Sequence, residues 1–90
     1  MTASGEIAPA PGEGKRIQLK YAYYVLTGDE VAYLRFGDSG KRIFPTKIKG
    51  AFGGNLLGAN IKGGDNQALN AYKNAGNSMV GFVIYEVVNA

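Results

Sequence analysis

Residues 16–26 read Arg-Ile-Gln-Leu-Lys-Tyr-Ala-Tyr-Tyr-Val-Leu, and this stretch decides the fold. Ile17, Leu19, Tyr21, Tyr23 and Val25 alternate with Gln18, Lys20, Ala22 and Tyr24. Period-two alternation sends successive side chains to opposite faces of a strand, and no helical spacing of three and four competes with it. Thr27-Gly28-Asp29-Glu30 is turn chemistry, and Val31 to Phe36 resumes as a second strand. A four-residue separation containing glycine predicts a β-hairpin between the two.

Further along, Asp38-Ser39-Gly40-Lys41 predicts another turn, with a third strand over about Arg42 to Lys49. Pro45 cannot donate to a ladder, so that strand is expected at an edge or with a bulge. Residues 50–66 are broken by glycine and are expected to be mostly irregular, pinned to the core by Phe52, Leu56, Leu57 and Ile61. Gln67 to Lys73 reads as a strand, with the fair helix propensity of Ala-Leu-Asn-Ala-Tyr-Lys as the alternative, and Asn74-Ala75-Gly76-Asn77 predicts the last turn. Ser78 to Val88 is the most apolar segment, with Glu86 its single charge. Apolar residues on both faces predict a central strand covered on both sides. At about 37 Å an 11-residue strand also outruns a small body, so it is expected to bend at Gly81 or to reach another subunit. Short strands separated by glycine turns make the chain all-β, a small antiparallel β-sandwich over residues 15–90.

Residues 1–14 have another character. They hold two of the three prolines, Pro9 and Pro11, and one large aliphatic, Ile7. The segment has no periodicity and is expected to form an extended N-terminal arm. Fully extended it spans about 45 Å, longer than the roughly 30–35 Å body, so it is expected to touch a neighbouring subunit.

Ninety residues allow one small domain, and such a chain buries only about 60 % of its unfolded surface. Cysteine and histidine are both absent. Disulfides, Cys or His nucleophiles, an imidazole base and zinc sites built on those ligands are thereby excluded. No apolar run approaches the ~20 residues of a membrane span, and the first residues lack the pattern of a signal peptide. A soluble protein from inside a cell is expected, without contact with a membrane.

The carboxylates Glu6, Glu13, Asp29, Glu30, Asp38 and Asp65 fall in the arm or in turns, and Glu86 lies in the last strand. No catalytic residue, cofactor or metal is predicted from them: a paired-carboxylate site needs a cleft, and no calcium-loop spacing surrounds Asp65, Asn66 and Asn60. Gly53-Gly54 and Gly63-Gly64 lack the Lys-Ser/Thr ending of a phosphate loop and read as bends. The net charge of +3 and the cluster Lys41, Arg42, Lys47 and Lys49 raise nucleic-acid binding. Tyr21, Tyr23, Tyr24, Tyr33 and Phe36 would then stack bases, as in a single-stranded nucleic-acid-binding β-barrel. Interspersed acidic residues and the lack of a basic block weigh against it.

The order of segments carries a resemblance. Gly14-Lys15-Arg16-Ile17 opens a Tyr-rich strand ending Val25-Leu26-Thr27-Gly28, and Val31-Ala32-Tyr33-Leu34-Arg35-Phe36 follows. After a glycine-broken middle the chain closes Met79-Val80-Gly81-Phe82-Val83-Ile84-Tyr85-Glu86-Val87-Val88. Over residues 14–88 this resembles small jelly-roll virion proteins of tailed bacteriophages, of the capsid decoration (cement) and head-fibre types. The resemblance implies an eight-stranded jelly-roll-like sandwich with no catalytic residues. It further implies a homotrimer bound to the major capsid protein, on the capsid surface of a virion assembled in the host cytoplasm. A head-fibre or tail-fibre tip contacting a host receptor is the related alternative. On this reading Ile7, Pro9 and Pro11 are candidates for capsid contact through the arm. Tyr24 and Tyr33 are candidates for subunit contact.

Overall fold

A computed structural model of the chain describes residues 4–37, 41–56, 58–73 and 78–90. Its elements are β1 (Gly5–Ala8), β2 (Lys15–Leu26), β3 (Ala32–Phe36), β4 (Ile43–Thr46), β5 (Gly50–Asn55), β6 (Ile61–Lys62), β7 (Leu69–Lys73) and β8 (Met79–Asn89), with no helix among the described residues. Every pairing is antiparallel. Sheet A runs β1-β7-β3-β4; in sheet B, β2 is central, with β8 along one side and β5 and β6 along the other. The sheets pack as an all-β antiparallel sandwich. Its core joins Ile17, Leu19, Ala22, Tyr24 and Leu26 of β2 to Ala32, Leu34 and Phe36 of β3 and to Leu69 and Ala71 of β7.

One irregularity in β2 sets which side chains enter that core. The ladder to β8 pairs Leu19 with Tyr85 and then Tyr21 with Ile84, leaving Lys20 without a partner position. The Lys20 carbonyl instead accepts from the Leu56 N–H at 2.8 Å. One extra residue inverts the faces beyond it. Ile17 and Leu19 are buried before the bulge, and Ala22, Tyr24 and Leu26 after it. Tyr21, Tyr23 and Val25 consequently turn outward, which corrects the unbroken alternation expected of residues 16–26.

The predicted hairpin is also corrected. β2 and β3 lie in different sheets, so residues 27–31 carry the chain across the sandwich. Glu30 goes down with them: its carboxylate is buried and lies 3.1 Å from the Lys73 ammonium, both side chains being at most 4 % exposed. The opposite charge compensates the desolvation that would otherwise keep either group at the surface. Asp29 makes a different contact, accepting the Lys49 N–H at 2.8 Å.

β4 lies at the edge of sheet A with an irregular register to β3, the position Pro45 requires. Residues 50–66 hold more structure than expected: β5 pairs with β2 over Tyr21 to Leu26, and β6 pairs with Gln18 and Leu19. Phe52, Leu56 and Ile61 pack against the core as expected. Leu57 and the turns predicted around residues 38–40 and 74–77 lie outside the described residues.

β8 has the predicted extent but not the predicted position. Among the described residues it pairs only with β2 and forms an edge of sheet B, with Val80, Phe82, Ile84, Tyr85 and Val87 exposed. Its inner face is covered at Met79 and Val83, which pack on the core, and left open at Tyr85 and Val87, so apolar residues on both faces mark a partly covered edge here, not a central strand.

The expected arm is partly structural. Residues 5–8 form β1, an edge strand on β7, and Ala8 is fully buried. The Ser4 hydroxyl accepts the Lys73 N–H at 2.9 Å and donates to the Lys73 carbonyl at 3.0 Å. Beyond β1, the Gly12 and Gly14 N–H groups donate to the side chains of Asn66 and Asp65 at 2.9 and 2.7 Å. The segment thus grips its own chain.

Two predictions follow from these contacts. Lys73→Met alone strands the buried Glu30 carboxylate and is expected to cost about 3–5 kcal/mol in urea unfolding, whereas combining it with Glu30→Leu recovers most of that loss. Deleting residues 1–8 opens the β7 edge and uncovers the core at Ala8, with an expected loss of more than about 2 kcal/mol; an unchanged unfolding midpoint would contradict a structural β1.

Candidate interaction surface

Beyond the bulge, the odd-numbered residues of β2 and the even-numbered residues of β8 share the outer face of sheet B. Val25 lies opposite Val80, Tyr23 opposite Phe82 and Tyr21 opposite Ile84. On the far flank Val25 faces Ala51 and Tyr23 faces Gly53, so the rings stand above small neighbours. Phe82 stacks on Tyr21 at 5.5 Å between centroids with planes 9° apart, and Tyr23 tilts against Phe82 at 6.1 Å. Val80, Phe82 and Ile84 remain 62 %, 53 % and 53 % exposed. Such a contiguous apolar patch, rich in aromatic rings, is the chemistry of a docking surface. Where the patch ends, the bulge residue Lys20 forms a half-exposed ion pair with Glu86 at 3.4 Å.

Two glycines let the strands close on β2 beneath this face. A Cβ at Gly53 would run into the Ala22 carbonyl, and one at Gly81 into the Tyr23 carbonyl. Gly81 therefore serves close approach between β8 and β2.

The patch borders a free strand edge. The Thr27 N–H donates to the Ser78 carbonyl at 3.1 Å, and the Ala90 N–H donates to the Gly14 carbonyl at 2.9 Å. Backbone groups alternate in direction along an antiparallel strand. Even-numbered residues of β8 thus address β2, and the odd-numbered ones from Gly81 to Asn89 turn N–H and C=O groups outward. Beside this edge the sandwich opens into a cleft of about 310 Å³, lined by Ile7, Leu34, Ala71, Met79 and Val83 together with Glu6.

The predicted contact residues are distributed unevenly about this surface. Ile7 packs against the core and lines the cleft, Pro9 is exposed and Pro11 half-buried. Tyr24 and Tyr33 are 2 % and 3 % exposed, so both are occupied by contacts within the chain and offer no face to a subunit. Tyr24 donates its hydroxyl to the Phe44 carbonyl, joining the two sheets. Phe44 has φ 50°, a conformation uncommon for a bulky residue and disfavoured before Pro45, and this bond helps to hold it. Tyr33 stacks on Tyr72 at 4.8 Å, with the Arg42 guanidinium 4.4 Å from its centroid. Tyr21, Tyr23 and Phe82 face outward from sheet B instead, and Tyr72 and Tyr85 are also exposed.

That arrangement divides the aromatic residues between the sheets: Tyr21, Tyr23 and Phe82 stand on sheet B, whereas the Tyr33–Tyr72 stack of sheet A lies beside the Arg35 and Arg42 guanidiniums. Of the five rings proposed to stack bases, Tyr24, Tyr33 and Phe36 are buried. Lys41 and Arg42 precede β4 of sheet A, and Lys47 and Lys49 lie in the link from β4 to β5 of sheet B. Lys41, Arg42 and Lys62 do border a hollow of about 510 Å³ whose apolar lining includes Phe44, Leu56 and Ile61. Asp65 and Asn66 are engaged with the backbone at Gly14 and Gly12. Among the described residues no group of three or more acidic, His or Cys side chains is placed to hold a metal ion.

No protein-family model matches the chain, and comparisons with curated proteins and with solved structures return no match either.

Burial raises the Tyr24 phenol from 10.0 to about 12. The fold therefore holds the neutral form; its contribution is complete below pH 10 and is lost as the pH rises through 12. Tyr24→Phe is expected to cost about 1–2 kcal/mol at neutral pH by orphaning the Phe44 carbonyl. The difference from the parent protein should shrink between pH 10 and 12, which urea unfolding at successive pH values measures.

Proposed function

We propose that this chain is a non-enzymatic structural protein of a virion, a capsid decoration (cement) protein. In this reading it docks on the major capsid protein through the outer face of sheet B. The observation that carries the reading is the uncovered apolar face formed by Tyr21, Tyr23, Phe82 and Ile84. A cementing protein needs adhesive area and a rigid frame to present it. The sandwich supplies the frame, and the stacked rings supply area whose conformational entropy is already spent.

The resemblance over residues 14–88 supplies the capsid as the partner, the virion surface as the location and a homotrimer as the assembled form. The role of the arm changes within the proposal: with residues 5–8 bound to β7, the exposed contact available from this segment is at Pro9. Shell contact is accordingly assigned to sheet B ahead of Ile7 and Pro11. Nucleic-acid binding ranks lower because three of the five rings it would use, Tyr24, Tyr33 and Phe36, are buried.

The test is occupancy of purified shells assembled from the accompanying major capsid protein. Phe82→Ser with Tyr23→Ser is expected to reduce occupancy at least tenfold while the isolated protein keeps a cooperative unfolding transition. Full occupancy by that variant would remove sheet B as the docking face. Labelled protein found at the end of an appendage would favour the fibre-tip alternative.

A further inference from the structure

We propose that two copies of this chain pair through β8, antiparallel about a twofold axis at Ile84, joining their B sheets into one continuous sheet. The inference concerns the free protein and does not depend on the virion reading.

The two halves of β8 complement each other. Residues 79–83 border the cleft through Met79 and Val83 and include Gly81, which presents no side chain. Residues 85–87 carry the reverse: Tyr85 and Val87 belong to the inner face, opposite Leu19 and Ile17, yet stand 37 % and 48 % exposed. An antiparallel register centred on Ile84 sets Val83 against the partner's Tyr85, and Gly81 against the partner's Val87. The overhanging side chains of one copy then lie at the mouth of the other copy's cleft, and the exchange is reciprocal, as an isologous interface requires.

The backbone permits this register. The odd-numbered residues from Gly81 to Val87 turn their N–H and C=O groups to the open edge, and the twofold pairs odd with odd, Gly81 against Val87 and Val83 against Tyr85. Glu86 is the only charge on the strand, and it falls opposite the partner's Phe82, well away from its symmetry mate. At exposures of 37–62 %, the five outstanding side chains of β8 carry roughly 450 Å² of open surface per copy. Edge pairing covers their flanks together with the backbone edge of an 11-residue strand, which places the interface at the low end of the size range of specific complexes.

The absence of cysteine makes the register directly testable. Ile84 addresses β2, so across the open edge it forms a non-hydrogen-bonded pair with its own mate, with Cβ atoms ~4.5–5.5 Å apart, near disulfide reach. The full-length protein is expected at twice the 9.5 kDa chain mass in equilibrium sedimentation. Ile84→Cys should form a disulfide dimer under mild oxidation at least tenfold faster than Val80→Cys, although Val80 is more exposed. Ile84→Lys, which opposes two like charges at the axis, should give a folded monomer. A monomer at high micromolar concentration, a trimer, or equal cross-linking of the two cysteine variants would each overturn the pairing. Shell occupancy in the preceding experiment is read separately, so loss of one conclusion leaves the other standing.

Discussion

The unpaired residue at Lys20 is the constraint on which the rest of the molecule depends. Without it, β2 would keep Tyr21, Tyr23 and Val25 on the same face as Ile17 and Leu19, and all five would enter the core. With it, the inner face continues through Ala22, Tyr24 and Leu26. Tyr24 can then reach across to Phe44 and tie the sheets together, while two other tyrosines are released to the surface. The same displacement brings Phe82 over Tyr21. A single added residue thus divides one long strand into a segment that is structural on its odd positions and a segment that is adhesive on them.

Much of the strand content was legible in the sequence, because period-two patterning reports extended backbone directly: the extents of β2, β3, β7 and β8 were close, and Pro45 placed β4 at an edge. Pairing was less legible. Thr27 to Glu30 has the composition of a hairpin turn and also serves a crossing between sheets. What distinguishes the two is the burial of Glu30 against Lys73, a partner remote in sequence that no local pattern reveals. The bulge left almost no trace in the chain: apolar aliphatics sit at odd positions 17 and 19 and then at both 25 and 26. Tyrosines on both parities, at 21, 23 and 24, masked the change. The candidate surface was missed for that reason.

β8 illustrates a different limit. Apolar residues on both faces indicate that both faces avoid water in the working state, but not which chain does the covering. A central strand and an edge strand awaiting a partner share that signature. The sandwich resolves the ambiguity within one chain, because the core covers β8 at Met79 and Val83 and, among the described residues, its outer edge pairs with no strand. Charge is scarce on this strand and its surroundings, and the ion pair of Lys20 with Glu86 stands where the apolar area gives way to polar surface.

The ladder between β2 and β8 also fixes the order in which the protein can acquire its structure. Residues 15–26 pair along their whole length with residues 79–89, so the longest strand waits for a segment synthesised much later. Non-local pairing of this kind makes folding slow, on the millisecond-to-second scale of β-sandwiches, and leaves an open template in the interval. At high local concentration, a β8 from a neighbouring chain competes for that template with the chain's own. Strand exchange between nascent copies is therefore the characteristic misfolding route of this topology, and slow, dilute synthesis is the condition under which each chain closes on itself.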